Sequence, residues 1–163
     1  MERAYIGIGS NLGDRFQHCR AALEKIEKLA GCRVEAHSNW YLTKPVGVQN
    51  QDWYVNGVVS VSTTLTPQAL LADLLAIEAD MGRIRKSKWE PRIIDIDILL
   101  YGEKVIDEVH LKIPHPLMHL RRFVLVPLVQ LDPGLVHPVM GLSMIELLEK
   151  IPQENQTVYP ATE

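Results

Sequence analysis

Apolar residues alternate along residues 4–9, the period-two pattern of a strand with one face buried. The period then lengthens. Phe16, Cys19, Ala22, Leu23, Ile26, Leu29 and Ala30 recur at helical spacing, and Gly31 supplies a stop. Val34, Trp40 and Tyr41 predict a second strand over residues 33–42, and the Pro- and Gly-bearing stretch 43–52 predicts a loop. Residues 54–65, rich in Val, Ser and Thr, predict a third strand. A second helix follows, with Thr66 as cap, Pro67 in its first turn, and Leu70, Leu71, Leu74, Leu75, Ile77 and Met81 on its apolar side. Gly82 ends it. A charged loop over residues 83–92 leads to a fourth strand at residues 93–101, and a tight turn at residues 101–104 runs into Val105 and Ile106.

Beyond Pro114 the pattern is helix and turn. The apolar run 123–131 is expected to break at Pro127. Ser143 and Glu146 have capping-box spacing for a last helix ending near Lys150, and the polar tail beyond Pro152 is expected to fray. The order β-α-β-β-α-β predicts an α+β fold: a ferredoxin-like antiparallel sheet with helices packed on it, followed by a hairpin and C-terminal helices. Residues 1–163 read as a single domain, with no internal repeat or linker.

Composition narrows the function classes. At 163 residues the chain can bury about 70% of its unfolded surface, so it needs no disulfide or structural metal to fold. The net charge of −3 offers no general attraction to nucleic acid or anionic lipid, so neither is expected as a partner. Cys19 and Cys32 form no C-x-x-C pair and no zinc-like grouping, which fits two reduced thiols. The N-terminus has no secretory pattern and the apolar run 123–131 is too short to span a bilayer, so a cytoplasmic location is expected.

The strongest chemical signal is Asp95-Ile96-Asp97. On a strand the two carboxylates share one face, with Cα atoms roughly 7 Å apart, while Ile94, Ile96 and Ile98 face the core. Asp is depleted in strands, and two like charges so close repel unless a hard divalent cation relieves them. The plain alternative is a solvated polar face. Immediately upstream, Arg83, Arg85, Lys86, Lys88 and Arg92 oppose a single acid, Glu90. A cationic run alone is usually solvated, but beside paired carboxylates it supplies the counter-charge a phosphate-bearing ligand needs. Gly7-Ile8-Gly9-Ser10-Asn11-Leu12-Gly13 has one residue too many for a dinucleotide fingerprint and reads as a structural strand-to-helix turn. His115, held between Pro114 and Pro116, could present a fixed ring.

These motifs carry a family resemblance. Trp89-Glu90-Pro91-Arg92-Ile93-Ile94-Asp95-Ile96-Asp97, with Arg83 and Arg85 ahead of it, resembles the signature of the 6-hydroxymethyl-7,8-dihydropterin pyrophosphokinases. Pro114-His115-Pro116 through Arg121-Arg122-Phe123, the opening Gly9-Ser10-Asn11-Leu12-Gly13, Pro45-Val46-Gly47 and Tyr54-Val55-Asn56 are similar to further family segments. The resemblance implies diphosphate transfer from ATP to the hydroxymethyl group of a reduced pterin in folate biosynthesis. It implies two Mg²⁺ ions held by Asp95 and Asp97, with Arg85 and Arg92 as catalytic partners. Glu78, Arg85, Lys88, Trp89, Arg92, Ile98, His115 and Arg121 would surround ATP. Thr43, Val46, Tyr54, Asn56, Trp89 and Phe123 would line the pterin pocket, and the enzyme would act as a monomer. The loop 83–92 would close as a lid once Mg·ATP and pterin supply its missing counter-charge.

The chain departs from the family at Lys88, where Arg is frequent, and at Glu90, where Gly is common. Leu75, His110 and Lys112 also differ from residues seen in some members. Two rival readings stand beside this one: a Rossmann-type oxidoreductase using the early glycines, and a non-enzymatic ferredoxin-like binding module.

Overall fold

Strand β1 (Glu2–Ser10) is central in the computed structural model, which describes residues 1–44, 53–82 and 93–161. It pairs antiparallel with β4 (Tyr54–Thr63) on one side and β5 (Asp95–Tyr101) on the other. β4 also carries β2 (Cys32–His37) against its C-terminal half and β3 (Tyr41–Thr43) against its N-terminal half. The expected second strand is therefore two strands with a break between them. Ser38 makes the break: its N–H donates to Val58 O at 2.8 Å, and its hydroxyl accepts from Val58 N–H at 2.9 Å. Trp40 then folds across Gly57, where a Cβ would lie 2.5 Å from the indole ring.

Within the tail that the sequence expects to fray, residues 158–160 form a strand. β8 (Val158–Pro160) pairs antiparallel with β3 and extends the sheet, because β3 would otherwise present an open edge. Among the described residues every strand pair in this sheet is antiparallel, which removes the Rossmann reading, a fold built on parallel strands. β6 (Ile106–Asp107) and β7 (Lys112–Ile113) form a separate short ladder.

The two faces of the sheet bury different helices. Ala4, Ile6, Ile8, Val55, Val59, Val61, Ile96 and Ile98 pack with α1 (Arg15–Glu27) and α2 (Pro67–Asp80). Thr66 caps α2 as expected, its Oγ1 accepting from Ala69 N–H at 3.1 Å. Tyr5, Val58, Leu99 and Leu100 face the other way, against α3 (Arg122–Leu131) and α4 (Met144–Glu149). Ser143 and Glu146 form the expected capping box. Pro127 does not break the apolar run. It lies inside a continuous α3, its one missing N–H donor tolerated because Leu125, Pro127 and Leu128 are buried against the sheet. A register shift opposite Tyr5 and Ile6 makes Leu99 an extra residue, so Leu99 and Leu100 both join the α3–α4 face. Among the described residues no helix is long and apolar enough to cross a membrane.

Candidate active site

On the α3–α4 face the end of β5 is polar. Asp95 is half-buried and Asp97 exposed, with Ile96 buried between them, so the two carboxylates share a face as their spacing predicts. Their cross-strand neighbours are glycines: Asp95 stands opposite Gly9 and Asp97 opposite Gly7. No side chain on β1 therefore covers the carboxylates. These glycines lie within β1, as the strand read over residues 4–9 expects, and the strand-to-helix turn begins only at Asn11, after Ser10.

The same row continues across the sheet. Gly9 pairs with Asn56 on β4, and Asn56 with Tyr41 on β3. Asn56 thus sits two strand spacings from Asp95, roughly 10 Å between Cα atoms. Its side-chain N–H donates to Thr43 Oγ1, and Tyr54 stands opposite Thr43. Thr43, Tyr54 and Asn56 therefore form one patch beside the carboxylates. The Tyr41 hydroxyl bonds Gln130 Oε1 on α3 at 2.6 Å, fixing that helix over the patch.

The first turn of α3 closes a third side. Arg121, just before it, lies over the Phe123 ring at 5.4 Å from guanidinium carbon to centroid. His115 joins Asp97 and Arg121. Its N–H donates to the carbonyl of the bulged Leu99 at 2.9 Å, and its Nδ1 accepts from Leu117 N–H at 3.2 Å. Burial lowers the His115 pKa, the Arg121 charge lowers it further, and Asp97 opposes both. With Nδ1 accepting from Leu117, the ring's proton sits on Nε2, which is left as a donor.

Two predicted residues are placed less directly. Glu78 is buried, and its Oε2 accepts from Ile96 N–H at 2.7 Å, so it holds the strand backbone between the two aspartates. Ile98 is 5% exposed in the core against α1 and α2, which leaves its backbone, not its side chain, for any contact with a nucleotide. Val46, Arg85, Lys88, Trp89 and Arg92 lie outside the described residues, as do Glu90 and the expected lid, residues 83–92. Of the family departures that are described, Leu75 and His110 are exposed, and Lys112 pairs with Asp107. Gly7, Gly9, Tyr41 and Gln130 are the contributors the sequence reading missed. Two glycines alternating opposite two alternating acids was the available signal for the first pair.

The donor set suits a hard cation: carboxylate oxygens, with no grouping of three His, Cys, Asp or Glu able to enclose a metal among the described residues. Two carboxylates on one strand face, with no β1 side chain over them, fit Mg²⁺, which takes its remaining ligands from water and phosphate.

Comparison with known proteins shows the family. Residues 5–133 match the family model described as 7,8-dihydro-6-hydroxymethylpterin-pyrophosphokinase. A 2-amino-4-hydroxy-6-hydroxymethyldihydropteridine pyrophosphokinase of Methylorubrum extorquens is 43% identical over 93% of this chain and 94% of that protein. A Synechocystis protein of the same name is 40% identical over 91% of this chain and 75% of its own length. Among solved structures, the HPPK-DHPS of Plasmodium falciparum superposes with a TM-score of 0.76 at 18% identity, a likeness of fold. It covers 92% of this chain, which spans 43% of that longer protein.

Proposed function

The chain belongs to the 7,8-dihydro-6-hydroxymethylpterin-pyrophosphokinase family, and from that membership we propose how its own residues carry the reaction. The enzyme transfers diphosphate from ATP to 6-hydroxymethyl-7,8-dihydropterin in folate biosynthesis, giving AMP and the pterin diphosphate.

Asp95 and Asp97 would hold two Mg²⁺ ions, which would supply positive charge to offset that developing on the transferred group. Asn56, offering both a donor and an acceptor, matches the amide-like edge of a pterin, and Thr43 orients it. Tyr54, on β4 within that patch, and Phe123, in the first turn of α3, would take the flat ring between them. Arg121 and the Nε2–H of His115, which lies close enough to Asp97 and Arg121 to feel both charges, would grip phosphate oxygens and hold ATP in line with the pterin hydroxymethyl group. Arg85 and Arg92 would add positive charge from residues 83–92, with Lys88 and Trp89. Val46 would complete the pterin pocket. We take the catalytic unit to be one domain acting as a monomer in the cytoplasm.

The observation that supports this arrangement most is the row Asp95–Gly9–Asn56, which sets a metal-competent carboxylate and a pterin-competent amide on one face of the sheet. The test is incubation with Mg·ATP and the hydroxymethyl pterin, following AMP and pterin diphosphate by chromatography. Wild-type turnover that is lost in Asp97→Asn and shows a selectively raised pterin KM in Asn56→Ala is the expected result. Equal effects of both variants on both substrates would contradict the assignment.

A further inference from the structure

Arg121 lies between a 3₁₀ turn (Met118–Leu120) and α3, with an extended backbone at φ −120° and ψ 111°. It occupies the N-cap position of α3, yet its side chain makes no capping bond, since a guanidinium has no acceptor to offer. The cap comes from far along the chain. Gln156 Oε1 accepts from Arg122 N–H at 3.0 Å, and Gln156 Nε2 donates to Leu120 O at 2.9 Å. One primary amide thus bonds the residue before Arg121 and the residue after it, as the peptide group of a neighbouring strand would. A helix cap alone would use only the acceptor. The donor adds a second point that fixes the direction in which Arg121 leaves the backbone.

Gln156 is itself held at both ends. Its N–H donates to Gln153 O at 3.2 Å, and two residues later β8 begins its ladder with β3, whose Thr43 pairs with Val158. Ala161 N–H donates to Trp40 O at 3.0 Å. At the other end, Arg122 Nη1 donates to Ile151 O at 3.1 Å. The C-terminal segment is therefore a strap that ties Arg121 to the strand bearing Thr43.

We infer that Gln156 is a positioning residue, holding Arg121 in the direction needed to meet the ATP phosphates. The inference rests on the nucleotide role given to Arg121 above. Small displacements of a charged group cost disproportionately in such reactions, because its contact depends on reaching the right oxygen.

The test is a double-mutant cycle on the full chain, with KM for ATP, KM for pterin, kcat and thermal midpoint measured for each variant. Gln156→Ala should raise KM for ATP about tenfold, the size of one well-placed charge-assisted contact, with a much smaller change in KM for pterin. In an Arg121→Ala background the same substitution should add nothing. Tyr159→Ala, which loosens the strap at its stacking contact with Trp53 but touches neither flank of Arg121, should leave KM for ATP unchanged. If Gln156→Ala does not fold, Gln156→Glu is read by the same criteria: it keeps an acceptor for Arg122 and loses the donor to Leu120. An equal effect of the Gln156 change with and without Arg121 would overturn the inference, as would an unchanged KM for ATP in a background where Arg121→Ala is damaging. An unchanged KM for ATP in Arg121→Ala itself would overturn the nucleotide role, and this inference with it.

Discussion

Asn56 lies across Gly9. Its Oδ1 is 2.6 Å from where a Cβ on residue 9 would stand, so the amide occupies space that only a glycine leaves free. Gly9 therefore leaves the room that the Asn56 amide fills.

Gly9→Ala should push Asn56 out of this position and away from Thr43. Overpacking of this kind costs about 1–3 kcal/mol, and if it falls on the bound state the pterin KM rises about ten- to hundredfold. Steady-state kinetics with each substrate varied separately checks this. A pterin KM equal to that of the wild type would show that Asn56 does not contact the ring.

Asp95→Asn and Asp97→Asn should each reduce kcat by orders of magnitude while leaving the fold intact. Asp95 is half-buried and Asp97 exposed, and neither fills the core, so their loss removes charge without opening a cavity. Circular dichroism, thermal midpoint and rate at saturating Mg²⁺ separate the two effects. Either variant keeping most of the wild-type rate would refute the metal assignment.

Glu78→Ala should lower the unfolding free energy by about 1–3 kcal/mol, because Ile96 N–H loses its carboxylate partner in a buried place. It should also raise the Mg²⁺ concentration for half-maximal rate, since Ile96 links the two aspartates. Glu78→Gln keeps an oxygen for that N–H and should restore most of the stability. Urea titrations and Mg²⁺ dependence read both; identical stability of wild type and Glu78→Ala would count against the bond.

His137 is buried and its Nδ1 accepts from Val139 N–H at 3.2 Å and Met140 N–H at 3.1 Å. Burial lowers its pKa from the ordinary 6.5, and the neighbouring His119 lowers it further. The unfolded chain thus takes up this proton first. The stabilising contribution is complete above the unfolded value of 6.5 and is lost as pH falls below it toward the folded value. The slope from this one group is at most about 1.4 kcal/mol per pH unit. His137→Asn, which keeps an acceptor near the Nδ1 position but cannot titrate, should flatten the acid limb. Urea unfolding at about pH 7.5 and about pH 5.5 tests it, and parallel losses in both proteins would remove His137 as a cause.

Much of the architecture was legible because its signals are local. The Thr66–Pro67 helix start, the Ser143–Glu146 capping box and the Asp95–Ile96–Asp97 alternation each depend on residues within one turn or one strand, and all three stand as read. The break between β2 and β3 was not legible. It depends on Ser38 meeting Val58 and Trp40 meeting Gly57, partners about twenty residues apart in sequence whose meeting no local pattern announces. Pro127 inside α3 is another such case, since burial of the helix against the sheet outweighs a local propensity.

By itself the sequence determined which chemistry the chain carries, because motif spacing places carboxylates, cations and His115 in a recognisable order. Only the tertiary structure decided how distant segments share a site. It set Asp95, Gly9 and Asn56 in one row through strand register, put Glu78 behind Ile96, and turned a polar tail into the strap that reaches Arg121. Register and long-range hydrogen bonds are set by the whole sheet at once, since each strand's position depends on its neighbours' pairing and on the faces they bury.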